Sequence, residues 1–236
     1  MSLLDLARDA HRGVNLQRRM GDASRRSGRI EEANEAYVRA LQLIDDILPA
    51  FPTLPSNHDA GSVDIDRNIA VEAAELWGER GGILRRLARL DESRTSYARG
   101  AGFEEAYNLP TTYNRVNVLK LELMTGQSLS SLSGPIAKVR DALQTRLSTD
   151  ERAADNAWLW ADLGDLRLLL GDVDEALSAY RTFVAKARTD SPVLTLSVLS
   201  DVVEALEQNG DPRADLVKSG AAEVEKEMSK VGIAAS

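Results

Sequence analysis

The sequence predicts an all-α fold of about five antiparallel helix pairs, and three observations lead to this prediction. Apolar side chains recur at spacings of three and four residues through most of the 236 positions, which is the period of one helical face. No segment alternates apolar and polar residues between hairpin turns as β-strands do. Prolines lie outside the predicted helices or at their first positions, as in Ser191-Pro192 and Asp211-Pro212.

The five predicted pairs belong to a single domain that spans residues 1–236. Each pair has a turn between its two helices, and the turn residues are Gly28, Ala88, Gly126, Gly171 and Gly210. The pairs cover about residues 1–48, 64–108, 110–148, 151–190 and 192–231. Residues 49–63 are rich in proline, serine and aspartate, and they predict an exposed loop. The segment QSLSSLSG after Gly126 is predicted to be an insertion ahead of the next helix.

A glycine and a tyrosine recur at fixed distances from the turn in three of the pairs. The glycine stands seven residues before the turn residue and the tyrosine nine residues after it. The three sets are Gly21, Gly28 and Tyr37, then Gly81, Ala88 and Tyr97, then Gly164, Gly171 and Tyr180. Small residues let two helices approach closely, and a large aromatic side chain fills the space around them. We therefore predict that each glycine marks a close contact between the two helices of its pair.

These residues resemble the tetratricopeptide repeat, a helix-turn-helix unit of about 34 residues with Trp, Leu-Gly, Ala and an aromatic residue at these offsets. The best match lies in residues 157–190 and comprises Trp160, Leu163, Gly164, Gly171, Ala176, Tyr180 and Phe183. Units 14–47 and 74–107 are also recognisable, whereas the units around Gly126 and Gly210 are inferred from their turns. The resemblance implies an irregular α-solenoid, a right-handed superhelix whose concave face binds peptides or protein surfaces.

The composition argues against several classes of protein. A net charge of -8 disfavours a general nucleic-acid binder, because counterion release needs a basic surface. It also disfavours anionic membranes, and no segment has the roughly 18 uninterrupted apolar residues that a membrane span needs. The chain has no cysteine, which fits a reducing compartment. The N-terminal sequence MSLLDLARDAHRG has acids within its apolar stretch, unlike a secretory signal, and we expect a cytoplasmic protein.

The sequence contains no recognisable catalytic or metal-binding set. Its two histidines, His11 and His58, are predicted to be solvated, because no partner acid or serine motif attends either. Asp59, Asp64 and Asp66 lack the oxygen order, the glycine and the distal glutamate of a calcium loop. We therefore predict a protein that is not an enzyme and that needs no cofactor or metal.

The resemblance to tetratricopeptide repeats also implies which residues face a partner. The predicted concave surface comprises Tyr113, Asn117, Lys120, Trp158, Asp162, Asp165, Arg18, Arg25 and Arg85. Trp158 and Trp160 are two residues apart, about 200° around a helix, so they cannot share a face. If Trp160 is in the core, Tyr113 and Trp158 would form an aromatic hot spot for binding. The alternative is that Trp158 packs against the inserted loop before it.

Four functions are compatible with these features. The favoured one is an interaction scaffold or adaptor that binds a protein or peptide in the concave groove. A second is a ligand- or peptide-sensing regulator of a signalling or defence effector, for which the irregular spacing and the long loop leave room. A third is a hydrolase or transferase that uses the aspartates, which the empty motif search disfavours. The fourth is self-assembly through the terminal repeats, whose exposed faces could stack on a second copy.

Overall fold

The computed structural model describes residues 2–54, 66–109, 111–187 and 191–230, and all regular structure in these ranges is helical. The all-α prediction is confirmed for this part of the chain. The helices are α1 Leu3–Arg26, α2 Ile30–Ile47, α3 Arg67–Arg86, α4 Leu90–Ala106, α5 Tyr113–Met124, α6 Leu129–Thr149, α7 Glu151–Asp155, α8 Ala157–Leu170, α9 Val173–Lys186, α10 Ser191–Gln208 and α11 Ala214–Lys230. None of these helices is both long and apolar enough to cross a membrane.

The chain forms two compact units, Met1–Pro110 and Thr111–Ser236. In the first unit α1 packs against α2 and α3 against α4, and in the second unit α8 packs against α9 and α10 against α11. Such adjacent pairs are compatible with a helical repeat. Each unit has its own apolar core, which includes Tyr37, Leu76 and Phe103 in the first unit and Leu143, Leu166 and Phe183 in the second. The prediction of one continuous domain stays a prediction.

The five predicted turn residues all adopt a positive φ and all lie between two helices. Their φ angles are 74° at Gly28, 57° at Ala88, 102° at Gly126, 92° at Gly171 and 64° at Gly210. Glycine adopts this left-handed conformation readily because it has no Cβ atom. Ala88 has a Cβ atom, so the second turn has a strain that the four glycine turns do not have.

The recurring glycine and tyrosine meet between the helices in three pairs. An ideal Cβ atom would lie 2.5 Å from the Tyr37 ring if built on Gly21, 2.7 Å from the Tyr97 ring on Gly81, and 2.9 Å from the Tyr180 ring on Gly164. All three distances are well below the ordinary separation of about 3.5 Å or more between carbon atoms in contact. The tyrosines themselves are buried. The predicted close helix contacts are therefore confirmed.

The second helix of the third predicted pair is longer than predicted. α6 begins at Leu129 and includes Pro135, so most of QSLSSLSG is helical, and the prediction that no proline falls inside a helix is wrong here. Ser128 caps the helix, because its hydroxyl accepts a hydrogen bond from the backbone three residues later at 3.2 Å. Leu129, Leu132 and Ile136 are buried at helical spacing. Their burial stabilises the added turns in spite of the proline.

Two further segments differ in part from the prediction. The predicted loop 49–63 begins within a 3-10 turn at Leu48–Ala50, and Phe51 is buried, so the start of this segment is not wholly exposed. Residues 55–65 lie outside the described part of the chain.

The fourth pair contains an additional short helix, α7, ahead of α8. The indole nitrogen of Trp160 donates a hydrogen bond to the carbonyl of Ala154 at 2.8 Å, which connects α7 to α8.

Candidate functional site

The predicted partner-binding residues of the second unit lie on two neighbouring helices, α5 and α8. Just before α5, the Thr112 hydroxyl donates a hydrogen bond to the Asp162 carboxylate of α8 at 3.0 Å. Further along the same two helices, Lys120 pairs with Asp165. The order of these contacts indicates that α5 and α8 run in the same general direction, with the start of α5 beside Asp162 in the first half of α8.

Asp165 is the centre of a buried polar network. Its carboxylate accepts hydrogen bonds from the Lys120 ammonium group and from the Tyr180 hydroxyl. Lys120, Asp165 and Tyr180 are only 6%, 1% and 2% exposed. Burial raises the pKa of Tyr180 well above its ordinary value, and the negative charge of Asp165 adds to this effect. Because an unpaired charge is unfavourable in the interior, the network holds α5, α8 and α9 together.

Four of the six predicted residues in this unit are used inside the fold. Lys120 and Asp165 pair with each other, and Asp162 accepts the hydrogen bond from Thr112. The side-chain amide of Asn117 donates to the Tyr113 carbonyl at 2.7 Å. All four side chains are buried. The resemblance to the repeat family predicts that these four residues face the groove. Their hydrogen bonds and ion pair within the fold leave little of their surface accessible for direct contact with a partner.

Tyr113 and Trp158 remain accessible at the first turns of α5 and α8. They are 42% and 46% exposed, whereas Tyr37, Tyr97 and Tyr180 are buried. The Trp158 ring rests on Phe183 of α9, with 5.5 Å between the ring centroids. Asn156 caps α8 by accepting a hydrogen bond from the Trp158 backbone nitrogen at 3.1 Å. The site therefore presents two aromatic side chains on ordered helix ends.

The three predicted arginines of the first unit have different surroundings. Arg18 donates a hydrogen bond to the Asn15 side chain at 2.9 Å. Arg25 donates to the carbonyl of Arg86 at 2.7 Å, and its guanidinium carbon lies 5.5 Å from the centroid of the Tyr37 ring. Arg85 is partly buried in the last turn of α3. Arg18 and Arg25 thus form contacts within the first unit.

A second aspartate network, around Asp22, lies in the first unit. The Asp22 carboxylate accepts a hydrogen bond from the Tyr37 hydroxyl at 2.8 Å and pairs with Arg86 at 3.0 Å. Burial, followed by the hydrogen bond to Asp22, raises the pKa of Tyr37 to about 12. The sequence signal for both networks is a Gly-Asp step with a tyrosine fifteen residues after the aspartate. The cations, Arg86 and Lys120, have no comparable signal.

His11 lies among three glutamates, whereas the sequence predicts a solvated histidine. Its Nδ1 is 2.9 Å from Glu79, and its Nε2 is 2.9 Å from Glu72 and 3.9 Å from Glu75. The prediction of a solvated histidine without a partner acid is wrong, because α3 brings these carboxylates against α1. Burial alone would lower the pKa of His11, but contacts with Glu79 and then Glu72 outweigh it and raise the pKa to about 9. His58 lies outside the described residues.

The crowding of carboxylates also affects Glu75. Partial desolvation among its neighbours raises the pKa of this glutamate above its ordinary value, although its side chain remains 59% exposed. The charge of His11 opposes that shift, whereas the charges of Glu72 and Glu79 add to it. The electrostatic field around His11 is therefore set by like charges held on one face of α3.

The first unit also contains an open cavity of about 460 Å³ beside Trp77. The guanidinium carbons of Arg99 and Arg80 lie 4.7 and 5.8 Å from the centroid of the Trp77 ring. Arg80 is held by Asp45 and by Ser96, each at 2.7 Å. Arg99 is exposed, and it forms no ion pair with any residue that the structure describes. The cavity therefore combines an aromatic face, two arginines and two acidic side chains, Asp45 and Glu92, which pair with Arg80 and Arg89.

Comparison with known proteins gives little similarity in sequence. No protein-family profile matches the chain, and no curated protein matches it significantly. Among solved structures, the chain is similar to one described as BtubC (BKLC) from P. vanneervenii. The two share 15% sequence identity, with 97% of this chain and 93% of that chain covered, and the TM-score is 0.41.

Proposed function

We propose that this protein is a non-enzymatic interaction module that binds a protein or peptide at the first turns of α5 and α8. The observation that carries the proposal is the pair of exposed aromatic side chains at the first turns of two helices that contact each other. Tyr113 and Trp158 are 42% and 46% exposed, while the polar residues behind them on the same helices are buried. Tyrosine and tryptophan are the residue types most often found as energetic anchors of protein interfaces.

The surroundings of the aromatic pair favour binding without a large ordering cost. Trp158 packs on Phe183, and Thr112 next to Tyr113 is joined to Asp162 of α8. Side chains that are already restricted lose less conformational entropy when a partner binds. A protein or peptide with apolar or aromatic side chains could cover both rings at once, with the buried network of Asp165 keeping the two helices in register.

We assign the module to the tetratricopeptide-like class as part of the same proposal. The support is the contact between a glycine and a tyrosine that recurs in three helix pairs, and the positive φ at the five turns. In this class neighbouring pairs stack and leave an extended binding surface. The superhelix and the concave groove remain predictions from the resemblance.

The proposal is tested by selecting binding peptides from a displayed library on the full chain and measuring their affinity by calorimetry. Replacing Tyr113 or Trp158 by alanine is expected to weaken binding about thirtyfold each, because a hot spot contributes about 2 kcal/mol or more. Leu16→Ala is the matched control, since Leu16 is a large apolar residue of α1 that is 59% exposed. Equal affinity in all four proteins would contradict the proposed site.

The cavity beside Trp77 favours a second candidate function, a regulator that senses a small ligand. Arg99 lies over the tryptophan ring, and the acidic lining residues Asp45 and Glu92 already pair with Arg80 and Arg89, so an anionic ligand with an apolar portion would suit Arg99. We expect such a ligand to raise the melting temperature in proportion to the logarithm of its concentration above Kd. A screen of carboxylates and nucleotides tests this, with Arg99→Ala expected to abolish the shift.

A further inference from the structure

Four side chains from α1 and α3 converge in the first unit. Glu72, Glu75 and Glu79 lie three and four residues apart on α3, so their carboxylates share one face of that helix. His11 of α1 lies against this face, and its side chain is only 16% exposed. The imidazole is thus held between helices rather than in solvent.

The distances around the imidazole Nε2 atom match those of a metal site. Nε2 lies 2.9 Å from Glu72 and 3.9 Å from Glu75, and the three donor atoms all lie within 4.8 Å of one another. Zinc bonds of about 2.0–2.1 Å in a tetrahedron separate neighbouring donor atoms by about 3.3 Å. These two distances lie on either side of that value, and the carboxylate oxygens of Glu72 and Glu75 are at most 4.8 Å apart, so side-chain movements of up to about 1.5 Å would enclose an ion.

The other imidazole nitrogen is already oriented as metal-bound histidines require. Nδ1 lies 2.9 Å from the Glu79 carboxylate and donates its proton there when the ring is neutral. In that neutral tautomer the lone pair of Nε2 is directed toward Glu72 and Glu75, and at a pH below about 9 a metal ion has to displace the Nε2 proton to use it. A carboxylate that fixes the tautomer and orientation of the ring is the usual outer partner of a metal-ligating histidine.

The charge of the cluster also favours a cation. Three carboxylates face one imidazole, and no lysine or arginine in the described part of the chain forms an ion pair with Glu72, Glu75 or Glu79. A protonated His11 could donate hydrogen bonds to Glu72 and Glu79. Glu75 would then remain 3.9 Å from Nε2, and the three carboxylates would still carry excess negative charge. A divalent cation neutralises more of this charge and can use Glu75 as a ligand.

We propose that His11, Glu72 and Glu75 bind a divalent transition-metal ion such as Zn²⁺ or Mn²⁺, with Glu79 positioning the imidazole. One nitrogen and two carboxylate donors suit these ions better than Mg²⁺ or Ca²⁺, which favour oxygen ligands alone. Glu75 is 59% exposed, so one side of the site is open to water ligands and to entry of the ion. The ion would connect α1 to α3 in the first unit.

The proposal is tested by titrating the tag-free, chelator-treated full chain with Zn²⁺ and with Mn²⁺ in a calorimeter. We expect one ion per chain, a higher affinity for Zn²⁺ than for Mn²⁺, and no competition from Mg²⁺. His11→Gln should abolish binding and Glu75→Gln should weaken it at least tenfold. Glu79→Gln should weaken it between tenfold and a hundredfold, as loss of an outer partner does.

His58→Gln is the matched control because it removes the other histidine of the chain while leaving the cluster intact. Its affinity for Zn²⁺ should equal that of the unchanged protein. Circular dichroism establishes that each variant is folded, and Zn²⁺ should raise the melting temperature of the unchanged protein but not of Glu75→Gln. Absence of stoichiometric binding, or binding that survives both His11→Gln and Glu75→Gln, would overturn the proposal.

Discussion

Asp22 and Asp165 occupy the same place in two helix pairs, but the structure surrounds them differently. Each follows a glycine and accepts a hydrogen bond from a tyrosine fifteen residues later. Each also pairs with a cation from another helix of its unit. The side chains of Asp22 and Arg86 retain 17% and 15% exposure, whereas those of Asp165 and Lys120 retain 2% and 7%. One local pattern thus occurs in a partly solvated and in a dry environment.

The two cations differ in a way that fits this difference in burial. Arg86 also donates to the carbonyl of Gly82 at 3.1 Å, so part of its guanidinium is satisfied without Asp22. Lys120 carries a compact charge in the interior and depends more heavily on Asp165. We therefore expect the first network to tolerate loss of its aspartate and the second network to require it.

The largest expected effect is that of Asp165→Asn compared with Asp22→Asn. Asp165→Asn leaves the Lys120 charge buried without a counterion, which should lower the free energy of unfolding by about 3–5 kcal/mol. Asp22→Asn removes charge-assisted bonds at a partly solvated site and should lower it by about 1–2 kcal/mol. Urea denaturation measures both, and equal losses would show that burial does not distinguish the networks.

A double variant separates the charge effect from simple loss of packing. Lys120→Met combined with Asp165→Asn removes both buried charges and retains similar volumes. It should be more stable than Asp165→Asn alone, because no uncompensated charge remains. If the double variant is less stable, the Lys120 charge is not the cause of the loss.

The next largest effect concerns the glycines that precede the two aspartates. Gly21→Ala and Gly164→Ala would place a Cβ atom 2.5 Å from Tyr37 and 2.9 Å from Tyr180. Overpacking of this kind should cost roughly 1–3 kcal/mol, with the larger loss at Gly21. Gly134→Ala is the control, since nothing lies within 4 Å of its added Cβ atom. Its change should stay below about 1 kcal/mol in either direction.

The decline in the free energy of unfolding at alkaline pH should report on the network around Asp22. The pKa of Tyr37 is raised from 10.0 to about 12, so the folded protein keeps this proton when the unfolded chain has lost it. Its contribution to stability is complete below about pH 10 and is lost as the pH rises to about 12. Tyr37→Phe should remove this part of the decline in urea-denaturation experiments, and an unchanged decline would contradict the assignment. Burial and the charge of Asp165 also raise the pKa of Tyr180, so tyrosinate absorbance titrations should show it ionising above its ordinary pKa.

The smallest expected effect concerns the turn of the second pair. Ala88 has a φ of 57°, where glycine is favoured, whereas the pair that contains Asp165 has Gly171 at this place. Ala88→Gly should raise the free energy of unfolding by about 0.5–1 kcal/mol, and Gly171→Ala should lower it by about 1 kcal/mol or more. Thermal unfolding measures both changes, and a loss of stability in Ala88→Gly would mean that the turn is not strained.

The features of the fold that depend on nearby residues could be predicted from the sequence. The glycine of the close contact, the turn and the tyrosine lie within one helix pair, so fixed spacing was sufficient to find them. The start of α6 was missed because its serines resemble a loop, although Leu129, Leu132 and Ile136 follow a helical spacing. In this segment the spacing of the apolar residues predicts the helix better than the serine content predicts a loop.

The candidate sites depend on residues that are distant in sequence, and these could not be predicted. Arg86 is 64 residues from Asp22, Lys120 is 45 from Asp165, and His11 is 61 from Glu72. Such contacts arise from how one helix pair packs on another, which local periodicity does not specify. The exposed Tyr113 and Trp158 could be proposed because the resemblance to a repeat family assigned them equivalent positions.

The salt bridge between Lys120 and Asp165 has a consequence for the motions of the second unit. Separation of α5 from α8 would leave the charges of Lys120 and Asp165 without each other in an apolar interior. It would also disturb the hydrogen bond from the Tyr180 hydroxyl of α9 to Asp165. Opening of a single helix should therefore be rare compared with concerted opening of all three. The backbone amides of α5, α8 and α9 should exchange with solvent deuterium as one slow, cooperative group.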